Sequence, residues 1–176
     1  IIKDWFKLIN IKMTIIVRNK HTLIFGDFKF KCCVGKNGFS KNKYEGDKKT
    51  PTGRYALGPL YFRKDRKKLP KTKLKVFEIR KHMGWCNDIN SLNKYNKLIN
   101  LNSKLKCERL FRHDYKYNFL IPIKYNWNKP KIGRGSAIFI HLTKNYRPTV
   151  GCIGLAEKDF LIVLKLLSKK TKIQIL

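Results

Sequence analysis

An alternation of apolar and polar side chains with a period of two residues is the clearest pattern near the beginning of the chain. Residues 28–34 read FKFKCCV, in which aromatic residues and cysteine alternate with lysine, and this predicts a half-buried strand. A second β-prone run occupies residues 22–25. The intervening Gly26-Asp27 pair is typical of a tight turn. Together these residues predict a β-hairpin.

Further segments have the composition of strands, and one segment has helical spacing. The predicted strands cover residues 13–17, 54–57, 76–79, 117–125, 136–143 and 173–175. Residues 157–167 repeat apolar side chains at helical spacing, which predicts a helix. Residues 84–106 show no period and predict a long irregular excursion. Because strands dominate, we predict a mostly β fold, an antiparallel sandwich or barrel with one or two short helices, the clearest near the C-terminus.

The length and apolar content of the chain suit one globular domain. The chain has 176 residues, 43% of them hydrophobic, and no apolar run approaches the roughly 20 residues that a membrane-spanning helix needs. We expect a single domain over residues 13–176, preceded by an extension at residues 1–12. These first residues lack the layout of a secretory signal, and Met13 is a candidate start of the protein.

The charge of the chain is strongly positive. There are 41 Lys and Arg against 11 Asp and Glu, a formal net charge of +30, and such a surface attracts anions of any kind. The basic residues are spread along the whole chain, together with abundant Asn and Ile, a mixture that an AT-rich coding sequence tends to produce. We therefore do not expect a dedicated nucleic-acid site, whereas polymers rich in carboxylates remain suitable partners.

The cysteine content does not predict a metal site. The five cysteines are Cys32, Cys33, Cys86, Cys107 and Cys152. An odd number leaves at least one thiol unpaired within a monomer, and no two cysteines have the C-x-x-C spacing.

Residues 136–155, which read SAIFIHLTKNYRPTVGCIGL, hold the candidate chemistry. A predicted strand delivers His141 near its end, and a loop delivers Cys152 shortly before the predicted helix. A thiol near a helix N-terminus has a lowered pKa, and an imidazole within reach accepts its proton. The amides of Gly151 and Cys152 are candidates for an oxyanion hole. On spacing alone, a buried core thiol and a structural histidine are more common than a catalytic pair.

Several separated motifs of the chain resemble the L,D-transpeptidase catalytic domain, the YkuD-like family. The signature of that family is a His, a variable loop, then Ser/Thr-x-Gly-Cys and a hydrophobic residue. The matching residues are His141, Thr149, Gly151, Cys152 and Ile153. The sequence EGDKKTPTGRYAL at residues 45–57 resembles the upstream Thr-Pro-x-Gly element of the family. The resemblance extends over almost all of residues 13–176 and implies a stand-alone catalytic domain with a β-sandwich fold.

Two positions depart from the pattern of the family. Val150 stands where many members have a His directly before Gly-Cys, so the role of base falls to His141 alone. Gly154 stands where many members have Arg or Asn, which removes a polar group from the neighbourhood of the nucleophile.

The resemblance implies a cysteine acyltransferase in the periplasm or cell envelope that acts on peptidoglycan stem peptides. Cys152 would attack the third residue of a tetrapeptide stem, release D-alanine and pass the acyl group from a thioester to an amine. His141 would move the proton, oriented by the carbonyl of Leu142. No cofactor is implied, and carbapenems are expected inhibitors. The expected substrate-binding residues are Thr149, Ser136, Arg134 and Trp85.

Three alternatives remain open at this point. Water instead of an amine resolves the thioester in an L,D-carboxypeptidase. A basic protein with an inert cysteine binds nucleic acid or another anionic polymer, with the net charge as its support. A binder of cell-wall polymer that has lost catalysis would fit the altered residues Val150 and Gly154.

Overall fold

A computed structural model describes residues 14–101 and 104–176. The strands are β1 (Thr14–Asn19), β2 (Thr22–Phe25), β3 (Phe28–Cys33), β4 (Phe39–Ser40), β5 (Thr50–Pro51), β6 (Gly53–Ala56), β7 (Leu60–Phe62), β8 (Val76–Glu78), β9 (Met83–Cys86), β10 (Leu98–Asn100), β11 (Cys107–Arg109), β12 (Phe119–Pro122), β13 (Phe139–Leu142), β14 (Ile153–Leu155) and β15 (Lys172–Ile175), and the helix is α1 (Glu157–Leu166). This confirms a mostly β fold with a helix near the C-terminus. The predicted extension at residues 1–12 and the residue Met13 lie outside the described residues.

Ten strands form one long sheet in the order β6-β15-β1-β2-β3-β14-β13-β12-β7-β8. The predicted hairpin of β2 and β3 lies near its middle, and Gly26 in the turn has a φ of 59°, a conformation that glycine adopts without steric cost. Two small sheets, β10-β9-β11 and β4-β5, complete the described fold.

Both halves of the long sheet contribute side chains to one hydrophobic core, so the sheet folds over itself as a sandwich. Ile15 in β1 and Ile140 in β13 are both fully buried and belong to the same cluster. Helix α1 covers this core with Phe160, Val163 and Leu164, which the helical spacing in the sequence predicts to be buried.

Among residues 14–101 and 104–176, four strand pairs are parallel, a feature that the alternation pattern did not predict. They are β1–β15, β4–β5, β7–β8 and β13–β14. The β13–β14 pair positions the candidate site, because it places His141 opposite Gly154 while the connecting residues 143–152 carry Cys152.

Strand β13 is shorter than the predicted run at residues 136–143, for a reason that lies in the backbone. Gly133, Gly135 and Ala137 have φ values of 74°, 91° and 52°, and a left-handed backbone interrupts an extended strand. The chain therefore enters β13 through an irregular segment.

The predicted irregular excursion at residues 84–106 is partly wrong, because it contributes to a three-stranded sheet. Strands β10 and β11 both pair antiparallel with β9. These strands have only three or four residues each, which is too short for a period of two to be visible in the sequence.

Asn96 ties this small sheet to the rest of the fold. Its Oδ1 accepts hydrogen bonds from the indole N–H of Trp85 at 2.9 Å and the backbone N–H of Ala137 at 3.1 Å. Its Nδ2 donates to the carbonyls of Tyr125 and Asn126. The residue is 4% exposed, so every polar atom of its amide is satisfied inside the protein.

Replacing Asn96 by alanine is expected to lower the free energy of unfolding by about 2–3 kcal/mol, because buried partners of the amide lose their hydrogen bonds. Urea denaturation checks this. The matched control is Asn93→Ala on the exposed surface, which should change stability by less than about 0.5 kcal/mol. Equal effects of the two substitutions would contradict the role of Asn96.

Candidate active site

His141 lies within β13, and Cys152 immediately precedes β14, the parallel neighbour of β13. The register pairs His141 with Gly154, two residues after Cys152. Because side chains two residues apart on a strand point to the same face, the thiol and the imidazole are delivered to the same side of the sheet. They line one pocket of about 490 Å³.

The thiol of Cys152 is buried and held by the backbone. Its Sγ donates to the carbonyl of Ala137 at 3.2 Å and accepts from the N–H of Phe139 at 3.3 Å. The residue is 5% exposed. The irregular segment before β13 thus forms a cradle for the sulfur.

The imidazole of His141 is oriented by a single backbone bond, as predicted. Its Nδ1 lies 2.9 Å from the carbonyl oxygen of Leu142. A carbonyl only accepts, so Nδ1 carries the hydrogen and Nε2 is left with the lone pair of a base. The ring of Tyr117 packs edge-on against it, with centroids 5.6 Å apart.

Burial keeps both groups neutral. It raises the pKa of the Cys152 thiol to about 12, a shift that the hydrogen bond from Phe139 opposes, and it lowers the pKa of His141 to about 4. The predicted lowering of the thiol pKa by the helix is therefore wrong. Strand β14 separates Cys152 from α1, and the influence of a helix dipole falls off within its first turn.

The hydroxyl of Thr50 clamps the loop that carries the nucleophile. It is completely buried, donates to the carbonyl of Gly151 at 2.9 Å and accepts from the N–H of Gly35 at 2.8 Å. This role of Thr50 was not predicted from the sequence. The feature of the sequence that could have indicated it is the Thr-Pro-x-Gly element at residues 50–53, because Thr50, its first residue, holds the loop.

Gly151 is required by its backbone conformation and by its neighbours. Its φ is 139°, and a Cβ at this position would lie 2.9 Å from the carbonyl oxygen of Lys49. Its N–H donates to the Thr149 hydroxyl at 3.1 Å, and that hydroxyl donates to the carbonyl of Cys152 at 2.6 Å. The amide of Gly151 is therefore engaged within the loop, and its role in an oxyanion hole stays a prediction.

The other predicted binding residues occupy different surroundings. Thr149 lines the pocket. Ser136 is buried and donates to Glu45 at 2.8 Å, while Trp85 is buried against Phe139. Arg134 is exposed and lies outside the pocket lining. A substrate-binding role for these four residues stays a prediction.

A cluster of ion pairs around Arg112 borders the pocket, which Arg112 and Glu108 line. Arg112 bridges Glu108 at 2.8 Å and Asp114 at 2.7 Å. Two further cations, Lys116 and Arg147, line the same pocket and form no ion pair within the described residues. Sequence spacing gave no signal for these two, because they are brought to the site by separate loops.

The two residues that depart from the family pattern, Gly154 and Val150, lie in different surroundings. A Cβ at Gly154 would lie 2.6 Å from the sulfur of Cys33 and 3.2 Å from Cβ of Thr143, so these neighbours leave no room for a side chain. Val150 is 70% exposed and lines the pocket. Its apolar side chain therefore faces solvent at the rim.

All five cysteines lie in the described residues and all are free. The described part of the chain contains no group of three or more His, Cys, Asp or Glu side chains that could hold a metal ion.

A family model of the L,D-transpeptidase catalytic domain, YkuD, matches residues 8–175. The chain belongs to this family. Membership of the YkuD family indicates L,D-transpeptidase-type catalysis on peptidoglycan and an association with the cell wall. Searches of curated proteins and of solved structures found no match. Among residues 14–101 and 104–176, no helix has both the length and the apolar character needed to cross a membrane.

The lowered pKa of His141 predicts a pH dependence of stability. Between the folded value of about 4 and the ordinary value of 6.5, the unfolded chain binds a proton that the folded chain does not. Stability contributed by the neutral imidazole is therefore complete above pH 6.5 and declines as the pH falls toward 4. From pH 7 to pH 5 the expected loss is about 2 kcal/mol.

Urea unfolding of the wild type and of His141→Asn at the two pH values isolates this contribution. The variant should lack the extra loss at low pH, because asparagine does not titrate. His113→Asn, at an exposed position, is the matched control and should keep the wild-type dependence. The same pH dependence in all three proteins would refute the assignment to His141.

Proposed function

We propose that this chain is a cysteine acyltransferase of the periplasm or cell envelope, an L,D-transpeptidase with Cys152 as nucleophile and His141 as general base. The observation that carries the proposal is one pocket lined by a backbone-cradled thiol and by an imidazole whose base nitrogen is left free. We assign the activity to a single domain, residues 13–176. Because the expected substrate is peptidoglycan, the cell envelope is the natural location.

The first half of the reaction acylates the enzyme. The Sγ–H proton moves to Nε2 of His141 as sulfur attacks the carbonyl carbon of the third residue of a tetrapeptide stem. The tetrahedral intermediate collapses and breaks the bond to D-alanine, whose amine takes the proton from the imidazolium. A thioester remains on Cys152.

The second half transfers the acyl group. An amine of a second stem attacks the thioester and gives its proton to His141, and the thiolate leaves and recovers that proton. The product is a cross-link between two third residues. Water as acceptor would give hydrolysis, so the chemical identity of the product separates a transpeptidase from a carboxypeptidase.

The neutral resting state of the pair supports proton transfer during attack rather than a stable ion pair beforehand. A buried thiol with a raised pKa is protected from unwanted reactions in the absence of substrate. The carbonyl of Leu142, which accepts the Nδ1 hydrogen at 2.9 Å, stabilises the imidazolium once it forms.

The charge of the pocket suits a peptide that carries carboxylates. Glu108 and Arg112 neutralise each other, so Lys116 and Arg147 provide the net positive charge of the lining. A stem tetrapeptide has a terminal carboxylate next to the bond that breaks, and a cation at the rim would orient it.

Intact-mass labelling with a carbapenem at neutral pH tests the nucleophile and the base. We expect the wild type to gain one adduct, Cys152→Ala to gain none and His141→Ala to react at least about tenfold more slowly, since general base catalysis is lost. Cys107→Ala, which removes another free thiol, is the matched control and should be labelled as the wild type is.

An unlabelled wild type whose Cys152 is no more reactive than the other thiols would overturn the enzymatic proposal. Incubation with stem tetrapeptides then identifies the acceptor. A cross-linked dimer supports transpeptidation, whereas release of D-alanine without a dimer would replace it with L,D-carboxypeptidase activity.

Replacing Lys116 or Arg147, the two cations that line the pocket without an ion pair among the described residues, is expected to weaken substrate binding. Lys116→Gln and Arg147→Gln should each raise KM for a stem tetrapeptide about three- to tenfold with little change in kcat, because each removes one charge contact near the surface. Lys170→Gln, at an exposed cation outside the pocket lining, is the control. If an amidated tetrapeptide shows the same KM increase as the free acid, carboxylate recognition by these cations is wrong.

A further inference from the structure

A buried ion pair lies beneath the loop that carries Cys152. The ammonium of Lys43 contacts the carboxylate of Asp47 at 2.5 Å, and their side chains are only 4% and 0% exposed. Removing two charges from water costs several kcal/mol per ion before their attraction is counted. A buried pair is therefore weak evidence for stability, and its position calls for a functional explanation.

Backbone amides fix the carboxylate of Asp47. Its Oδ1 accepts the backbone N–H of Lys49 at 2.8 Å, and its Oδ2 accepts that of Tyr44 at 3.1 Å. These bonds belong to the turn that precedes the clamp residue Thr50. The anion is thus held by its own loop, and the cation extends beyond it.

The side chain of Lys43 occupies space that two glycines leave open. A Cβ at Gly135 would lie 2.7 Å from Cε of Lys43, and a Cβ at Gly151 would lie 3.5 Å from its Nζ. Both glycines have a left-handed φ, 91° and 139°. The ammonium consequently lies against the backbone of the residue that precedes Cys152.

Several ionisable groups of the surrounding elements interact electrostatically with Cys152 or line the same pocket. They are Lys43, Glu108, Cys33, Tyr117 and His141. Burial and the charge of Glu108 raise the pKa of Cys152, whereas the hydrogen bond from Phe139 and the charge of Lys43 lower it. The ammonium of Lys43 also lies against the backbone of Gly151, so the positive end of the pair adjoins the loop that carries Cys152.

We propose that Lys43 is a positioning residue, whose ammonium, held by Asp47, stabilises the negative charge that develops on the sulfur of Cys152. This inference rests on Cys152 being the nucleophile, as proposed above. Lys43 gives up no proton in this role: the thiol proton goes to His141, and Lys43 remains an ammonium throughout. Asp47 balances the buried cation in the resting state, so the field is available without an isolated buried charge.

The test compares two alkylating reagents of nearly equal size and different charge, iodoacetate and iodoacetamide. Reaction at Cys152 is quantified by peptide mass spectrometry at several pH values. The ratio of the two rates reports the electrostatic potential at the sulfur, while a change in access alters both rates alike. The ratio therefore changes when a substitution alters the charge near the sulfur, and it stays constant when a substitution alters only access to the sulfur.

The main variant is Lys43→Met with Asp47→Asn, which removes both charges while keeping similar shapes, and native folding is verified by thermal unfolding. We expect the iodoacetate-to-iodoacetamide ratio to fall about threefold and both rates to decrease. Lys43→Met alone should lower the ratio further, because Asp47 then acts without its cation. The matched control removes a surface pair, Lys67→Met with Glu157→Gln, and should leave the ratio unchanged.

A wild-type ratio in the folded double variant would overturn the inference, as would the opposite order of the single and double variants. These measurements need no cell-wall substrate. A failure of carbapenem labelling together with a lowered ratio would refute the acyltransferase proposal alone. Normal labelling with an unchanged ratio would refute the role of Lys43 alone.

Discussion

The carbonyl of Gly151 accepts a hydrogen bond from the hydroxyl of Thr50, and the position of Cys152 depends on that contact. A left-handed glycine next to the nucleophile has many alternative conformations in an unfolded chain. The buried hydroxyl selects one of them, and the Thr149 hydroxyl closes the same loop from the other side by bonding to Gly151 and Cys152. The thiol then lies where Ala137 and Phe139 can hold it.

Desolvation sets the chemistry of the site once the loop is fixed. Burial of Cys152 and His141 moves the pKa of the thiol up and that of the imidazole down, so both favour their neutral forms. In the proposed mechanism the sulfur becomes negative and the imidazole becomes positive only during the reaction, when the two form an ion pair. In the proposed mechanism, Lys43 stabilises the sulfur side of that pair and the Leu142 carbonyl stabilises the imidazole side. Low polarity around the pair makes each of these fixed groups more effective than it would be in water.

The sequence allowed the β-rich class, the helix, the β2–β3 hairpin and the oriented His141 to be predicted, because each depends on local spacing or on a motif. Alternation of residues 28–34 and the helical spacing of residues 157–167 are properties of one segment. The parallel β13–β14 pair, the three-stranded sheet and the Lys43–Asp47 contact join separate segments, and no local pattern reports them. The thiol pKa was predicted in the wrong direction for the same reason, since burial is a property of the assembled site.

The glycine at position 154 shows how such nonlocal packing explains a departure from the family pattern. Its register partners are His141 on one side and Cys33 on the other, so it lies between the base and a buried thiol. A side chain there would meet the Cys33 sulfur and the side chain of Thr143. The small residue at 154 and the cysteine at 33 therefore form one packing unit. In the proposed mechanism, the cations Lys116 and Arg147 that line the pocket provide the polar contacts to the peptide, since Gly154 has no side chain to make them.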